Sequence, residues 1–139
     1  MCRYMCVIAI GVALFGLVAG CGSSDDTEAD RFGVGAECNE DSECESPDED
    51  ITLECLSQFK GGYCGLADCG GDLDCPDGSA CIAYDDGVVL GNFCFRVCQD
   101  KPECNLNRSV ENESNCSSNV EFVDGRQERK ACVPPSSGL

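Results

Sequence analysis

Twelve cysteines in three groups of four constrain the fold of this chain more than any other feature. Each group opens with two cysteines separated by five residues, and the third and fourth cysteines follow at variable distances. Four residues lie between the first two groups and three between the last two, so the pattern is an internal repeat with a fixed opening and variable loops. The groups are Cys38, Cys44, Cys55 and Cys64; Cys69, Cys75, Cys81 and Cys94; and Cys98, Cys104, Cys116 and Cys132.

The amino-terminal segment predicts export from the cytoplasm. Arg3 is the only charged residue in residues 1–20, and an apolar run extends from Met5 to Gly20. This run is shorter than the roughly 20 residues that a membrane-spanning helix needs. A positive start, a short apolar stretch and small residues at its end are typical of a signal peptide. Residues 1–20 are therefore predicted to be removed, and the exported cysteines are expected to form disulfides.

Cys21 stands directly after this apolar run, and the sequence Val18-Ala19-Gly20-Cys21 resembles a bacterial lipobox. The resemblance implies that Cys21 receives a diacylglycerol, that cleavage precedes it and that its new amino group is acylated. The number of cysteines supports lipidation. Removal of Cys2 and Cys6 with the signal peptide and lipidation of Cys21 leave twelve cysteines, which can all pair. If Cys21 is not lipidated, thirteen cysteines remain and one of them is a free thiol. Two or more acyl chains hold a protein stably at a bilayer.

The residue after the lipidation site indicates a destination. In the enterobacterial sorting system, which this start resembles, an aspartate there retains a lipoprotein in the inner membrane. Gly22 therefore implies the outer membrane or the cell surface, and the periplasm or secretion are the alternatives.

The charge of the exported part limits its partners. It carries 26 acidic and eight basic side chains, because Arg3 leaves with the signal peptide. Nucleic acid is not expected as a partner, since binding it requires cationic side chains. An anionic membrane surface repels such a chain, so membrane attachment is expected through the lipid alone. Large apolar residues are sparse, and we expect disulfides to replace a large continuous core.

The segment between the third and fourth cysteines predicts a β-hairpin in every unit. The turn pairs are Gly61-Gly62, Asp86-Gly87 and Asp124-Gly125. In the middle unit the flanking residues are Ile82, Tyr84, Val88 and Leu90.

Acidic residues recur in the opening of the unit. One precedes the second cysteine in all three units, and another stands two positions earlier in the first two units. We expect these carboxylates to hold tight turns by accepting backbone hydrogen bonds. They are Glu43, Asp74 and Glu103, with Asp41 and Asp72.

Spacing alone does not decide the disulfide pairing, because closure within a unit leaves three choices for each unit. The unit, with its acidic residue before the second cysteine and the sequence GGYC at Gly61–Cys64, resembles the cysteine-rich modules of myxobacterial lipoproteins. It is also similar to the amino-terminal half of the Dickkopf and colipase-like disulfide fold. That resemblance implies crossed pairing, first to third and second to fourth. The expected disulfides are Cys38–Cys55, Cys44–Cys64, Cys69–Cys81, Cys75–Cys94, Cys98–Cys116 and Cys104–Cys132.

Together these features predict a small disulfide-rich fold of three tandem four-cysteine modules, with short β-hairpins and little helix outside the signal peptide. The predicted organisation is a signal peptide at 1–20, a flexible acidic tether at 21–37, modules at 38–64, 69–94 and 98–132, and a disordered tail at 133–139. The long loops Ser46–Glu54 and Asn105–Asn115 depart from the compact pattern of the resembled modules.

The residue types argue against an enzyme. The chain has no histidine, the commonest general base, and parity leaves no free cysteine as a nucleophile. We therefore predict no catalytic residues, no metal ligands and no cofactor. Asp72, Asp74 and Asp77 lie close together, but an EF-hand loop needs a glutamate at position twelve, where Ala83 stands.

The sequence thus predicts a non-catalytic, lipid-anchored, cysteine-rich lipoprotein of the bacterial envelope. It is expected to be a binding or interaction module of unknown target that acts through its variable loops, and a protein of the envelope is the partner considered. One alternative is a secreted inhibitor or toxin-like protein that uses the exposed loop Asp85–Asn92. Another is a calcium-binding envelope protein.

Overall fold

The computed structural model describes residues 33–44, 50–126 and 129–138. The predicted signal peptide, Cys21 and most of the predicted tether lie outside the described residues. In the part of the chain that is described, no helix has the length and apolar character needed to cross a membrane.

The described residues form short antiparallel strands, and the predicted fold class is confirmed. The first unit has a two-stranded sheet, while the second and third units share a five-stranded sheet in the order β5-β7-β4-β3-β6. The strands are β1 (Glu54–Cys55), β2 (Cys64–Gly65), β3 (Ser79–Asp85), β4 (Leu90–Cys98), β5 (Asn115–Ser117), β6 (Glu121–Phe122) and β7 (Lys130–Val133). Helix in these residues amounts to one turn, α1 (Lys101–Cys104), and 3-10 turns at Asp41–Cys44, Asp72–Asp74 and Val110–Asn112.

Six disulfides join the described cysteines, and each closes within its own unit. In every unit the first cysteine bonds the third and the second bonds the fourth. The pairs are Cys38–Cys55, Cys44–Cys64, Cys69–Cys81, Cys75–Cys94, Cys98–Cys116 and Cys104–Cys132. Loops of this length stabilise a fold by about 3 kcal/mol each in the chain-entropy account.

The third and fourth cysteines of each unit face one another across two antiparallel strands. The Cα partners are Cys55 with Cys64, Cys81 with Cys94, and Cys116 with Cys132. Since each of these cysteines is also bonded to the opening of its unit, the strand pair and the opening turn form one rigid block.

The turn of the middle unit differs from the prediction. Asp85 pairs with Leu90, so the connection is a loop of four residues, 86–89, rather than a two-residue turn. Val89 is buried and Val88 is exposed, because the Asp86 carboxylate accepts hydrogen bonds from both amides and folds the loop inward.

The third unit also departs from a simple hairpin. Strand β6 pairs with β3 of the middle unit, while β5 pairs with β7 across the whole intervening segment. Asp124-Gly125 therefore forms a local turn, closed by the Gly125 amide on the Phe122 carbonyl at 2.9 Å, and joins no two paired strands. Phe122 is only 2% exposed, and its burial against the middle unit outweighs a local hairpin.

An aromatic cluster joins the units, so the expectation of no large continuous core was wrong. Phe59 contacts Tyr63, Tyr84, Phe93 and Phe95 edge-on, with ring centroids 5.1 to 6.1 Å apart. Such pairs add about 1 kcal/mol each beyond the burial of their area. The few aromatic residues are concentrated in one place, and disulfides and an apolar core act together.

The last residues of the predicted tether belong to the folded body. Val34 is buried, and the Gly35 amide donates to the Cys64 carbonyl at 2.9 Å. The prediction of a flexible tether over residues 21–37 is therefore wrong for residues 33–37. These residues satisfy backbone groups that the short strand β2 leaves unpaired.

The predicted disordered tail is also ordered, through residue 138. Ser136 forms a β-bridge with Phe59, and the Lys60 amide donates to the Pro135 carbonyl at 2.9 Å. The tail covers the aromatic cluster and pairs with backbone groups of the first unit, which polar composition alone does not reveal.

Candidate binding surfaces

The carboxylate before the second cysteine makes the same hydrogen bond in all three units. It accepts the backbone N–H of the residue directly after the first cysteine. The pairs are Glu43 with Asn39 at 2.5 Å, Asp74 with Gly70 at 2.7 Å and Glu103 with Gln99 at 2.7 Å. The amide of Asn39 holds the pKa of Glu43 below its usual range. These acids do hold a turn, although the bond reaches back four residues rather than forward two.

The second recurrent acid ties the opening turn to a strand. Asp41 accepts the backbone N–H of Cys55 at 2.8 Å, and Asp72 accepts that of Cys81 at 3.0 Å. The third unit has Lys101 at this position, and its ammonium pairs with Glu113 at 2.5 Å instead. The acidic residues that recur with the cysteines are therefore parts of the frame.

Groups that resemble metal sites are already engaged. Asp72 and Asp74, from the calcium candidate, accept hydrogen bonds from backbone amides. Three cysteine sulfur atoms of each unit lie within 4.8 Å of one another, because two disulfides lie side by side. Bonded sulfur atoms do not act as the thiolate ligands that zinc requires.

The tip of the β3–β4 hairpin displays two apolar side chains on an ordered loop. Leu90 is 79% exposed and Val88 is 61% exposed. The Asp86 carboxylate accepts the amides of Val88 and Val89 at 3.0 and 2.8 Å. The loop is thus fixed before any partner arrives, which reduces the conformational entropy lost on binding.

The tip is anchored to the carboxy-terminal tail. The Tyr84 hydroxyl donates to the Asp86 carboxylate at 2.9 Å and lies 3.3 Å from the Pro134 carbonyl oxygen. Burial, with the nearby carboxylate, raises the pKa of Tyr84 to about 12. Hydrogen bonds from the Val89 amide and the Ser136 hydroxyl hold the pKa of Asp86 well below its usual range. At neutral pH Tyr84 is therefore uncharged and Asp86 is ionised.

Sequence reasoning missed a buried cation, Arg108, whose only sequence signal is that it is the one basic residue in the loop Asn105–Asn115. The side chain is 9% exposed. Burial lowers its pKa. The guanidinium donates to four backbone carbonyls: those of Asn112 at 2.7 Å, Lys60 at 2.8 Å, Gly62 at 3.0 Å and Gly35 at 3.1 Å.

Glu37, which is partly buried, extends this network. It accepts hydrogen bonds from the Ser109 amide at 2.9 Å, the Ser109 hydroxyl at 2.8 Å and the Asn112 side-chain amide. Burial opposes its charge, but the hydrogen bonds from Asn112 and Ser109 outweigh that effect and lower the pKa of Glu37. The network fixes the long loop of the third unit on the first unit, so it holds the frame together.

A cleft of about 490 Å³ opens beside the opening turn of the middle unit. Within it Arg129 pairs with Asp72 at 2.6 Å, and its guanidinium lies over the Phe122 ring, 4.9 Å from the centroid. The sequence named Asp72 as a turn residue and as part of a calcium candidate, but it did not place the two arginines of this cleft, Arg126 and Arg129, near Asp72.

The sequence-predicted site residues fall in different places. The loop Asp85–Asn92 forms the exposed hairpin tip, and the twelve predicted half-cystines lie inside the frame. Cys21 is outside the described residues. In comparisons with known proteins, no family model, no curated protein and no solved structure matches this chain.

Proposed function

We propose that this chain is a non-catalytic lipoprotein of the bacterial envelope, anchored by lipid on Cys21, that binds a protein partner through the loops of its disulfide frame. The observation that carries the proposal is the hairpin tip, where Val88 and Leu90 are exposed on a loop that Asp86 fixes. Exposed apolar side chains on a rigid element are suited to contact another protein.

The anchor is tested first. Mass spectrometry of the chain purified from its bacterial host should find an acylated Cys21 at the amino terminus. An unmodified amino terminus contradicts the anchor and favours the alternative of a secreted inhibitor or toxin-like protein, which would use the same ordered tip. Fractionation of the envelope should place the acylated chain in the outer membrane or at the cell surface.

The partner is tested by site-specific crosslinking in intact cells. A photoreactive residue at Leu90 should capture a reproducible envelope protein, and the pair of changes Val88→Ser and Leu90→Ser should reduce capture through a probe elsewhere on the frame. A probe at Leu106, which is 70% exposed on another loop, is the matched control. Equal capture from Leu90 and Leu106, or none from Leu90, contradicts binding at the tip.

Calcium binding is the remaining alternative and has less support, because Asp72 and Asp74 already accept backbone hydrogen bonds. Calorimetric titration with calcium decides it. Saturable binding at millimolar calcium favours a calcium-dependent envelope protein over a lipoprotein that binds its partner through the hairpin tip.

A further inference from the structure

We propose that the cleft beside the opening turn of the middle unit binds a singly charged carboxylate with an apolar neighbouring group. This goes beyond the proposed function, since it involves neither the lipid anchor nor the hairpin tip. The volume of about 490 Å³ is in the range of small-ligand sites. The lining includes two guanidinium groups, three carboxylates and one exposed leucine: Arg126, Arg129, Asp72, Asp77, Asp124 and Leu73.

Arg126 is the cation that a ligand can reach. Its side chain is exposed and has no hydrogen bond or ion pair among the described residues. The exported part has only eight basic side chains against 26 acidic ones, and two of the eight line this cleft. The lining has three acidic and two basic side chains, so it is less acidic than the chain around it, and an anionic group is repelled less here than over most of the surface.

Arg129 offers a second, fixed donor. Its Nη2 pairs with Asp72 at 2.6 Å, and the guanidinium lies over the Phe122 ring. The Nε–H is buried and has no hydrogen-bond partner in the described part of the chain. An unsatisfied buried donor is costly, so such groups in native proteins normally meet a ligand atom or water. A carboxylate bound in the cleft lies beside this guanidinium group and that of Arg126, the two cations of the lining.

The other lining residues limit the charge and the chemical class of the ligand. Leu73 is fully exposed on the 3-10 turn Asp72–Asp74 and offers an apolar surface next to the charges. The exposed carboxylates of Asp77 and Asp124 repel a doubly charged anion more than a singly charged one. A peptide carboxy terminus and a free acylated amino acid both present the favoured chemistry, an α-carboxylate beside an apolar side chain.

The test uses the full purified chain with its disulfides intact and follows backbone amide shifts by NMR. N-acetyl-leucine should produce saturable shifts at Leu73 and Arg126, with a dissociation constant in the range of roughly 1 mM. N-acetyl-leucinamide and inorganic phosphate should each bind at least about tenfold more weakly. Tighter binding of acetyl-alanyl-alanyl-leucine assigns the site to peptide termini, and equal binding assigns it to small acids.

Matched variants separate the site from general charge and apolar effects. Arg126→Gln should weaken N-acetyl-leucine binding about tenfold or more, whereas Lys60→Gln should leave it unchanged. Leu73→Ser should weaken it several-fold, whereas Leu106→Ser should not. The side chains of Arg126 and Leu73 are both exposed, so their replacement preserves the fold. Equal binding of the acid and its amide, full affinity in Arg126→Gln, or no saturable shift at roughly 20 mM acid overturns the proposal.

Discussion

The Arg108 guanidinium lies 5.7 Å from the centroid of the Tyr63 ring, although these residues belong to different four-cysteine units. Tyr63 is fully buried, and its hydroxyl oxygen accepts the Arg96 amide at 3.1 Å. Burial raises the pKa of Tyr63 to about 12, so the ring carries no charge beside the cation at neutral pH. The units are thus joined by a buried polar and aromatic centre in addition to their separate disulfides.

Loss of Arg108 should loosen the whole frame. Arg108→Leu leaves four backbone carbonyls without their donor, and we expect a loss of about 3 kcal/mol in the free energy of unfolding. The free energy of unfolding of Arg108→Lys should lie between those of the wild type and Arg108→Leu, because an ammonium does not reproduce the planar fork of donors. Denaturant unfolding with the disulfides intact measures both variants. Exposed Arg126→Gln is the control, and equal stability of all four proteins contradicts a central role for Arg108.

The Glu37 network predicts a pH dependence of stability. The folded protein holds the pKa of Glu37 below its ordinary value of 4.5, so folding favours the ionised form. Its contribution is present above about pH 4.5 and is lost as the pH falls through the lowered pKa. Between roughly pH 6 and pH 3, Glu37→Gln should therefore lose less unfolding free energy than the wild type. Parallel pH profiles of the two proteins in denaturant titrations would rule this out.

The repeated turn bond predicts a modest, local effect in the first unit. Glu43→Ala removes the acceptor of the Asn39 amide and should lower the unfolding free energy modestly, because the carboxylate is exposed to solvent. Glu40 lies in the same opening and is exposed, so Glu40→Ala is a matched control that should change stability little. If both variants lose the same stability, general charge on the turn, and not the hydrogen bond, explains the acidic residues there.

Local chemistry made the frame predictable. The cysteine spacing and the resemblance to known modules depend on short stretches. The structure has the crossed disulfides and pairs the strands that carry the third and fourth cysteines, but the predicted two-residue turns of the second and third units do not connect those strands. The acids before the second cysteines are turn acceptors because an opening with five residues between cysteines brings its own ends together.

Long-range packing was not predictable from the same patterns. Phe122 pairs with strand β3 of the middle unit and not with a strand of its own unit, and Ser136 of the tail pairs with Phe59 of the first unit. In both cases a backbone edge or an aromatic cluster in a distant unit offers more burial than the local alternative. Arg108 and Arg129 were missed for the same reason, since their partners lie far away in the sequence.

Disulfide mapping tests the frame itself. Peptide mapping under non-reducing conditions should recover the six crossed links, and any link between two units contradicts the fold. Changing both Cys98 and Cys116 to serine removes one link and should lower the unfolding free energy by about 3 kcal/mol. The Cys69–Cys81 loop is shorter, with a sequence separation of 12 against 18, so its removal should cost slightly less.

The hairpin tip should loosen when Asp86 is changed, without loss of the fold. In Asp86→Ala the amides of Val88 and Val89 lose their shared acceptor, and hydrogen exchange at both should quicken by roughly tenfold. Asp85→Ala is the matched variant: Asp85 accepts the Gly87 amide at 2.9 Å, so exchange should quicken at Gly87 and not at Val89. Because a loose tip must be ordered again on binding, Asp86→Ala should also reduce crosslinking from Leu90. Unchanged exchange at Val88 and Val89 would mean that the loop is held by the strands alone, and the preordered tip would then lose its physical basis.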